Sequence, residues 1–515
     1  MSPSSWKEFS FPIGFQGGYN SDLDPEVLPP HFISSGQRIN WNRGLISKGD
    51  GRQLFSAGSF QGTVNDLWVF QLSSGTAFLI AVSTTNLYRY NVGPNTWTDI
   101  TPGGGLHGTV TFKPQCITWN DKFYCTNGTD PILQWDGIAP TASFITGSGA
   151  PSACSSIVAF AGFLFAIRPT VGTLFGFRVM WSDFLTPTVW NAGQAGAVDL
   201  NDSSEQLLTG LVMGRWLTLY KTSIVYNVVF VGPPVYFDFR RIETPGTAAR
   251  RTVAQILMLG LFAQGRDDEY IFDQSQSRPI GRPVRQEILA KMDWQGADAA
   301  FAWVRPDVGR VYLHLPFNRA DHTPDNVYSY SYQDGPWMPE GPYPATAGIY
   351  AEFTSNLTVS QLTGPINTYN LTIDELTRLN QRQPLVTDGT NIYYLAAVAN
   401  DYATPTAAAI SSNFTTAEVP LEVQNGKPVP CYVSEVLVTG NSGGNVSVTL
   451  NGSIGNETYV SSVPYAVTLS GAMRVPIPVE LYAERFSVSI VNNTINQGYA
   501  VKEISLRYRP RPGRV

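Results

Sequence analysis

The sequence predicts an all-β protein, in which a β-propeller of about six or seven blades precedes a β-sandwich-like C-terminal domain. Three observations predict this fold class. Apolar residues rarely recur at the helical period. Short runs rich in Val, Ile, Phe, Tyr, Trp and Thr occur instead, and such runs are typical of strands. The 47 glycines and 36 prolines are spread without a short period, which fits many turns and excludes a collagen-like chain.

The clearest repeat unit covers residues 66–102. It contains the runs DLWVFQL, TAFLIAVST, NLYRYNV and NTWTDITP, and four strands joined by tight turns make one propeller blade. Comparable units follow at 115–146, 155–200, 206–243, 252–282, 299–340 and, more weakly, 345–400. The spacing of about forty residues is typical of propellers. Unrelated β-meanders are the alternative, but the recurring four-strand order favours a propeller over residues 61–410.

The two ends of the chain differ from the repeats. Residues 1–60 are dense in Gly, Pro and Ser turns and are expected to form an extended arm laid over the fold. After residue 410, alternating runs such as NVSVTLNG predict a β-sandwich over residues 411–515. The closing RPRPGRV is expected to be a solvated basic tail, with contact to an acidic partner as the alternative. Short connecting helices are predicted at 283–292 and 373–381.

The composition excludes several classes of protein. Charged residues make up 14% of the chain and the net charge is −6, whereas roughly 25% of residues are charged in ordinary soluble chains. Such a chain is a poor candidate for a long phosphate-tracking groove or for intrinsic disorder. The opening residues lack the features of a signal peptide. The apolar runs at 157–167 and 253–265 are too short to span a bilayer, so no membrane span is expected.

The sequence contains no recognisable catalytic, metal-binding or cofactor-binding motif. The four cysteines lack zinc-ligand spacing, and the four histidines do not cluster with them. Cys116 and Cys125 fall on consecutive predicted strands and could be neighbours, although buried free thiols are the favoured interpretation. Phosphate-binding loops, the Gly-x-Ser-x-Gly elbow and paired glycosidase carboxylates are missing. The chain is therefore expected to be no enzyme and to use no metal or cofactor.

Two close basic pairs are candidate contact residues for DNA or for a neighbouring subunit. They are Arg240 with Arg241 and Arg250 with Arg251. Arginine pairs can contact a DNA backbone or an acidic subunit rim, and a solvated loop is an equally favoured alternative. A channel for DNA does not need a basic wall, since strong phosphate binding would hold back the passing DNA.

The segment Val231, Gly232, Pro233 and Pro234 lies between two strongly β-forming runs. Proline fixes the backbone and removes an N–H donor, so this segment is predicted to be a stiff hairpin tip. In a ring of subunits such a tip could project toward the lumen, which makes it a candidate channel or gate loop. An ordinary hairpin is the favoured alternative.

The opening residues resemble a pattern in tail proteins of double-stranded DNA phages. The pattern has a Gly-Gly-x-Asn element, an acidic stretch, a Leu-Pro pair, an Asn-containing strand and a glycine-rich turn that ends in Arg. In this sequence the corresponding residues are 17–20, 22–24, 28–30, 38–41, 44–46 and 48–52. The order of the whole chain, the stretch 180–193 and the closing YAVKEISLRYRPRPGRV are similar to tail nozzle (tail hub) proteins of short-tailed phages.

This resemblance implies a virion structural protein with a propeller and a β-rich platform domain. It implies a hexameric ring that is assembled in the host cytoplasm and located in the virion tail. The implied partners are further copies of the chain, portal–adaptor proteins, and tail fibres or a needle. Viral DNA would pass through the lumen without sequence-specific binding. No distinct insertion that would serve as the channel gate is recognisable in the sequence.

The leading expectation is a tail nozzle that forms the distal DNA channel, retains the genome and allows its ejection. Two alternatives stay open. A propeller glycosidase or lectin acting on a host surface glycan would need carboxylates and arginines at the propeller mouth, and the sequence offers no convincing set. A kelch-like cellular adaptor is disfavoured by the phage-like opening.

Overall fold

The computed structural model describes residues 6–12, 15–42, 44–91, 95–318, 320–352, 382–396, 400–401, 408–455 and 458–510. In these residues the chain is almost entirely β-structure and forms a seven-bladed propeller joined to a large sheet. The predicted all-β propeller is confirmed. A short α-helix, Arg285–Lys291, and a 3-10 helix, Ala297–Ala299, connect blades 5 and 6. The helix predicted at 373–381 lies outside the described residues.

Blades 1 to 6 are each built from four consecutive antiparallel strands, with the first strands of most neighbouring blades in contact around the propeller axis. A further short strand, Thr173–Leu174, pairs with the second strand of blade 3. The four strands of each blade are Val64–Gln71, Ala77–Ser83, Leu87–Asn91 and Thr96–Asp99 in blade 1; Gln115–Trp119, Lys122–Thr126, Leu133–Trp135 and Ser143–Phe144 in blade 2; Ala153–Phe160, Phe163–Val171, Arg178–Trp181 and Gly196–Asp199 in blade 3; Thr209–Met213, Trp216–Tyr220, Val225–Gly232 and Tyr236–Ile242 in blade 4; Ala254–Ile256, Gly260–Gln264, Glu269–Phe272 and Ser277–Pro279 in blade 5; Phe301–Arg305, Arg310–Leu315, Asn326–Ser331 and Trp337–Pro339 in blade 6.

Blade 7 closes the ring with strands from both ends of the propeller. Its first three strands are Ala347–Ala351, Gln383–Thr387 and Asn391–Ala396, and its outer strand is the early segment Gly51–Ala57. The predicted propeller limit at residue 61 leaves out this strand. Because its three partner strands lie far along the sequence, no local pattern reveals the pairing.

Apolar cores lie between all adjacent blades, including blades 7 and 1. The second strand of blade 3 shows how one strand serves two cores. Phe163 and Phe165 pack toward blade 4, whereas Leu164 and Ala166 pack toward blade 2. Side chains alternate between the two faces of a strand. A continuous apolar run such as FLFAI is therefore suited to a blade that has a neighbour on each side.

The large sheet has twelve strands that come from both ends of the chain. The segment expected to be a surface arm provides five of them, and short strands between dense turns carry little alternation that would reveal this pairing. A sandwich-like arrangement of the C-terminal strands stays a prediction. The strands are Lys7–Ser10, Gly18–Tyr19, Phe32–Gln37, Ile39–Asn42, Leu45–Lys48, Ser412–Thr416, Val419–Pro420, Cys431–Ile454, Thr458–Ser461, Tyr465–Ala483, Arg485–Asn492 and Tyr499–Pro510. Two small hairpins pair Asn400–Asp401 with Ala408–Ala409 and Val423–Gln424 with Lys427–Pro428.

The large sheet packs against blades 5 and 6 through one continuous apolar cluster. The cluster includes Trp41 from the sheet, Ile288 from the helix and Trp337 from blade 6. A hydrogen bond fixes the same contact, because the Tyr19 hydroxyl donates to Glu287 Oε2 at 2.6 Å. The N-terminal segment is therefore part of the core that joins the two parts of the molecule.

Replacing Phe15 tests whether the N-terminal segment belongs to the core. Its buried ring lies 6.2 Å from those of both Phe11 and Phe414, measured between centroids. We expect Phe15→Ala to lower the free energy of unfolding by about 3–5 kcal/mol, because the change leaves a cavity. The matched change Val27→Ala, at an exposed site in the same segment, should cost no more than about 0.5 kcal/mol. Equal, small effects in chemical unfolding would contradict this placement.

Candidate interaction surface

The structure places Val231, Gly232, Pro233 and Pro234 at the tip of the hairpin between the third and fourth strands of blade 4. Gly232 has a φ of +83°, a conformation that glycine adopts without a steric cost. The flanking Val235 is 65% exposed. These are the outer strands of the blade, so the tip lies at the periphery of the propeller and away from its axis.

Further exposed apolar residues lie at the same end of the neighbouring blades. In a four-stranded antiparallel blade, the connections between the first and second strands and between the third and fourth strands share one end. Leu257, Met258 and Leu259 form the first such connection in blade 5, and Phe184 and Leu185 lie in the second such connection in blade 3. We call the exposed set the apolar face: Phe184, Leu185, Phe230, Val231, Val235, Leu257, Met258 and Leu259.

The apolar face rests on a shared aromatic core. The ring of buried Phe163 lies 5.4 Å from Phe184 and 6.2 Å from Phe230, measured between centroids. Met258 is fully exposed, and together with Met213 it lines a groove of about 370 Å³ between blades 4 and 5. Large exposed apolar groups on a protein surface mark sites of interaction. The apolar face is therefore a candidate contact surface.

A wider groove of about 720 Å³ runs between blades 3 and 4 at the edge of the apolar face. Phe160 and Phe230 contribute aromatic surface to it, and Arg215 and Arg240 contribute guanidinium groups. The Arg240 guanidinium carbon lies 5.8 Å from the centroid of the Trp216 ring, which also lines the groove. This groove combines apolar surface with positive charge, which suits a ligand that carries both apolar and anionic groups.

Arg240 and Arg241 lie on the outermost strand of blade 4, and each is paired within the chain. The Arg240 Nε atom donates to Asp238 Oδ2 at 2.8 Å, although the Arg240 side chain stays 57% exposed. The Arg241 Nη1 atom donates to Asp202 Oδ2 at 3.0 Å, and its Nη2 atom lies 2.7 Å from Glu243 Oε1. Of the two residues, Arg240 lines the groove at the apolar face.

Arg250 and Arg251 occupy a different place, just before the first strand of blade 5 and next to the propeller axis. Arg250 is buried, and its Nη1 atom donates to the Ser155 carbonyl at 3.1 Å and its Nε atom to Asp298 Oδ1 at 3.3 Å. Burial lowers the Arg250 pKa to about 10. The Arg251 Nη2 atom donates to both Asp66 oxygens at 3.0 Å. The burial of Arg250 corrects the expectation of a surface contact for that residue. The Arg251 side chain keeps 25% of its surface exposed, and its contact with DNA or a subunit stays a prediction.

A buried lysine extends this arrangement across the axis. The Lys113 ammonium donates to Asn65 Oδ1 at 2.6 Å and to the Thr346 carbonyl at 2.7 Å, and it lies 5.7 Å from the centroid of the Phe301 ring. Burial lowers the Lys113 pKa to about 7. Lys113 could not be recognised from the sequence, because one lysine before a strand carries no distinctive pattern. We call the set the axial network: Asn65, Asp66, Lys113, Arg250, Arg251 and Asp298.

Neither a metal-binding cluster nor a membrane-spanning helix occurs in the described ranges. No three His, Cys, Asp or Glu side chains of those ranges are grouped so that they could hold a metal ion. None of the helices found there combines the length and the apolar character that crossing a membrane requires.

No protein-family model and no curated protein matches the chain. Solved structures with a similar fold include the computationally designed Ika8 protein, at 7% identity and a TM-score of 0.37, with 67% of this chain and 99% of that chain covered. The WD40 domain of Neurospora crassa Pan2 has 8% identity and a TM-score of 0.34, with 65% and 88% covered. The β-propeller domain of Myceliophteria thermophila Cps50 (Swd1) has 11% identity and a TM-score of 0.31, with 61% and 90% covered. These likenesses concern the propeller fold only.

Substitutions of Arg251, in the axial network, and of Arg240, on the surface, should differ in their effect on the free energy of unfolding. Arg251→Met would leave the buried Asp66 carboxylate without its cation, so we expect the free energy of unfolding to fall by about 3–5 kcal/mol. The same change at the exposed Arg240 should cost at most about 1 kcal/mol. Chemical unfolding with circular dichroism measures both. Equal losses would contradict the structural role of Arg251, and Asp66→Asn in the Arg251→Met background should restore part of its loss.

A buried histidine predicts acid sensitivity. His314 accepts a hydrogen bond from Trp303 Nε1 at 3.0 Å and stacks on Phe301. Burial, with the nearby Lys113 charge, lowers the His314 pKa from 6.5 to about 3. The unfolded chain therefore binds a proton at His314 more readily than the folded chain does. The stability that comes from the neutral, buried His314 is present above pH 6.5 and is lost as the pH falls toward 3.

Unfolding of wild type and His314→Phe should therefore be compared between pH 7 and pH 4. We expect the wild type to lose up to about 1.4 kcal/mol per pH unit through this one proton. The His314→Phe variant should show a shallower slope, whatever its stability at pH 7. Identical slopes would show that His314 does not titrate in this way.

Proposed function

We propose that the chain is a structural subunit of the virion of a short-tailed phage, namely the tail nozzle. In this proposal it assembles as a ring on the portal–adaptor complex, retains the genome, and allows its ejection. The resemblance of residues 17–52 to phage tail proteins supports the phage assignment. The observation that carries the proposal of assembly is the apolar face, since exposed apolar side chains of this size favour burial against another protein.

A ring of identical subunits requires two different contact surfaces on each subunit. A second exposed apolar patch lies on the large sheet, around the connection between Thr458–Ser461 and Tyr465–Ala483. We call it the sheet patch: Tyr459, Val460, Val463 and Tyr465. The presence of two separate apolar patches on one chain supports head-to-tail assembly, in which the apolar face of one copy contacts the sheet patch of the next.

The axial network bears on where DNA would pass. Arg251 with Asp66, and Lys113 with Asn65, tie the segments that precede blades 5 and 2 to the first strand of blade 1. In the proposed assembly, DNA therefore passes along the axis of the ring of subunits rather than through a propeller. The exposed Arg240 is a candidate for contact with DNA or with a neighbouring subunit.

The hairpin tip at Val231 to Pro234 has two possible roles within this proposal. As part of the apolar face it would contact the next subunit, and as a gate loop it would narrow the lumen. The roles differ in their consequences. A change at a subunit contact prevents the ring, whereas a change at a gate leaves the ring intact and releases DNA early. Val231→Asp tests this choice, because the residue is about half exposed and the fold should tolerate the change.

Two substitutions test the proposed assembly. Met258→Asp places a charge on the apolar face and Tyr459→Asp places one on the sheet patch, while the exposed Val27→Asp is the matched control. We expect wild type and Val27→Asp to form six-fold rings, alone or on the portal–adaptor complex. Either patch variant alone should stay monomeric, because burial of the new charge opposes association. Sedimentation velocity and negative-stain electron microscopy measure the outcome.

A mixture of the two patch variants sharpens this test. Met258→Asp keeps an intact sheet patch and Tyr459→Asp keeps an intact apolar face, so a mixture should form complexes of two chains and no rings. Rings formed by both single variants would contradict the patch assignment. Wild-type protein that never joins the portal–adaptor complex would contradict the nozzle itself. The groove with Trp216, Arg215 and Arg240 would then be the first place to test the glycan-binding alternative.

A further inference from the structure

Two cysteines face each other on the two inner strands of blade 2. Cys116 and Cys125 are direct partners in the antiparallel register, and their sulfur atoms lie 3.1 Å apart. Both are buried in the core between blades 1 and 2, beside Phe123 and Leu133. The sequence alone did not decide whether these residues are neighbours, and the register shows that they are.

This arrangement meets the geometric requirements of a disulfide. Directly opposed residues in an antiparallel pair have Cα atoms about 4.5–5.5 Å apart, and disulfides span about 4.4–6.8 Å between Cα atoms. Opposed residues also place their side chains on the same face of the sheet. The backbone of blade 2 therefore needs no rearrangement to accommodate a bond between the two sulfur atoms.

We propose that Cys116 and Cys125 form a disulfide pair, which a small aliphatic disulfide oxidises while these two strands are exposed to solvent, as during refolding. One cysteine thiolate attacks a sulfur atom of the oxidant, forms a mixed disulfide and releases one thiolate. The second cysteine thiolate then attacks the protein sulfur and releases the other thiolate. The two protein thiols lose two electrons and two protons, and the oxidant is reduced to two thiols.

The other cysteines are placed differently. Cys154 lies in the core between blades 2 and 3, and its thiol donates to Thr126 Oγ1 at 3.5 Å. Cys125 and Thr126 are adjacent in one strand and therefore point to opposite faces. Cys431 lies in the large sheet. The expected product is thus a single pairing, Cys116 with Cys125.

Oxidation at this site also affects the axial network. The Cys116 thiol interacts electrostatically with the Asp66 carboxylate, which Arg251 also holds. Formation of the disulfide removes the Cys116 S–H group beside this carboxylate and fixes the two inner strands of blade 2 to each other. The bond constrains the unfolded chain, so the oxidised protein should resist unfolding more than the reduced protein. This inference does not depend on the proposed function.

Mapping of the linked peptides tests the inference directly. Native protein, and protein refolding from denaturant, are incubated with 2-hydroxyethyl disulfide, alkylated with iodoacetamide and digested with trypsin without reduction. Lys122 lies between the two cysteines, so cleavage after it leaves two peptides joined only by a disulfide. We expect a linked pair two hydrogen masses lighter than the separate peptides, in wild type and in Cys154→Ser. Cys125→Ser should abolish it.

The effect of oxidation on the stability of the protein gives a second measurement. The oxidised wild type should unfold at a higher denaturant concentration than the reduced wild type, and the same treatment should not shift the double variant Cys116→Ser/Cys125→Ser. Four alkylated cysteines after both incubations would overturn the proposal. A link from Cys125 to Cys154 would also overturn it. If the double variant fails to fold, peptide mapping of wild type and Cys154→Ser still decides the proposal.

Discussion

The structure depends on strands that bury both of their faces. A blade with apolar side chains on both faces buries them only when a neighbouring blade covers each face. A row of such blades therefore closes into a ring. At the point of closure, Ala81 and Tyr88 of blade 1 meet Leu385 and Ile392 of blade 7. Burial of apolar surface contributes about 25 cal/mol per Å². A break at any one of these junctions would therefore expose two apolar faces at once.

The propeller axis is stabilised by different interactions. The first strands converge there, and the side chains that meet include charged groups that are removed from water. Isolated buried charges are strongly unfavourable, whereas paired and hydrogen-bonded charges can be accommodated. Burial raises the Asp66 pKa and the Arg251 cation opposes that rise. The axial network thus links blades 1, 2 and 5 by charged and polar groups that are paired within the chain.

The blades could be predicted from the sequence because each is local, and runs such as FLFAI carry the pattern of a strand with two buried faces. The closing strand Gly51–Ala57 and the early strands of the large sheet could not, since their partners lie far along the chain. For the candidate surface, Gly232 and the two prolines that follow it predicted the hairpin tip. The exposed turn at Met258 carried no such signal, because Met258 itself adopts the left-handed conformation, with a φ of +67°.

The early part of the chain connects the large sheet to the closing strand of the propeller. Asp401 holds this junction, since it accepts from Arg38 Nη2 at 2.9 Å and from the Arg52 backbone N–H at 2.8 Å. Close by, Arg305 of blade 6 donates to Asp50 Oδ2 at 2.7 Å. The closing strand is therefore held by blade 7 on one side and by charged groups at its start.

Force applied to the large sheet would reach the propeller through this segment as well as through the apolar contact with blades 5 and 6. To peel off the closing strand, the force would have to break its ladder with blade 7 together with the Asp401 and Asp50 contacts. These bonds lie close together along the chain and share the load, whereas a single contact would fail alone. In the proposed ring, a subunit loaded through its sheet patch would therefore respond as one body, with the propeller kept closed while its neighbours move.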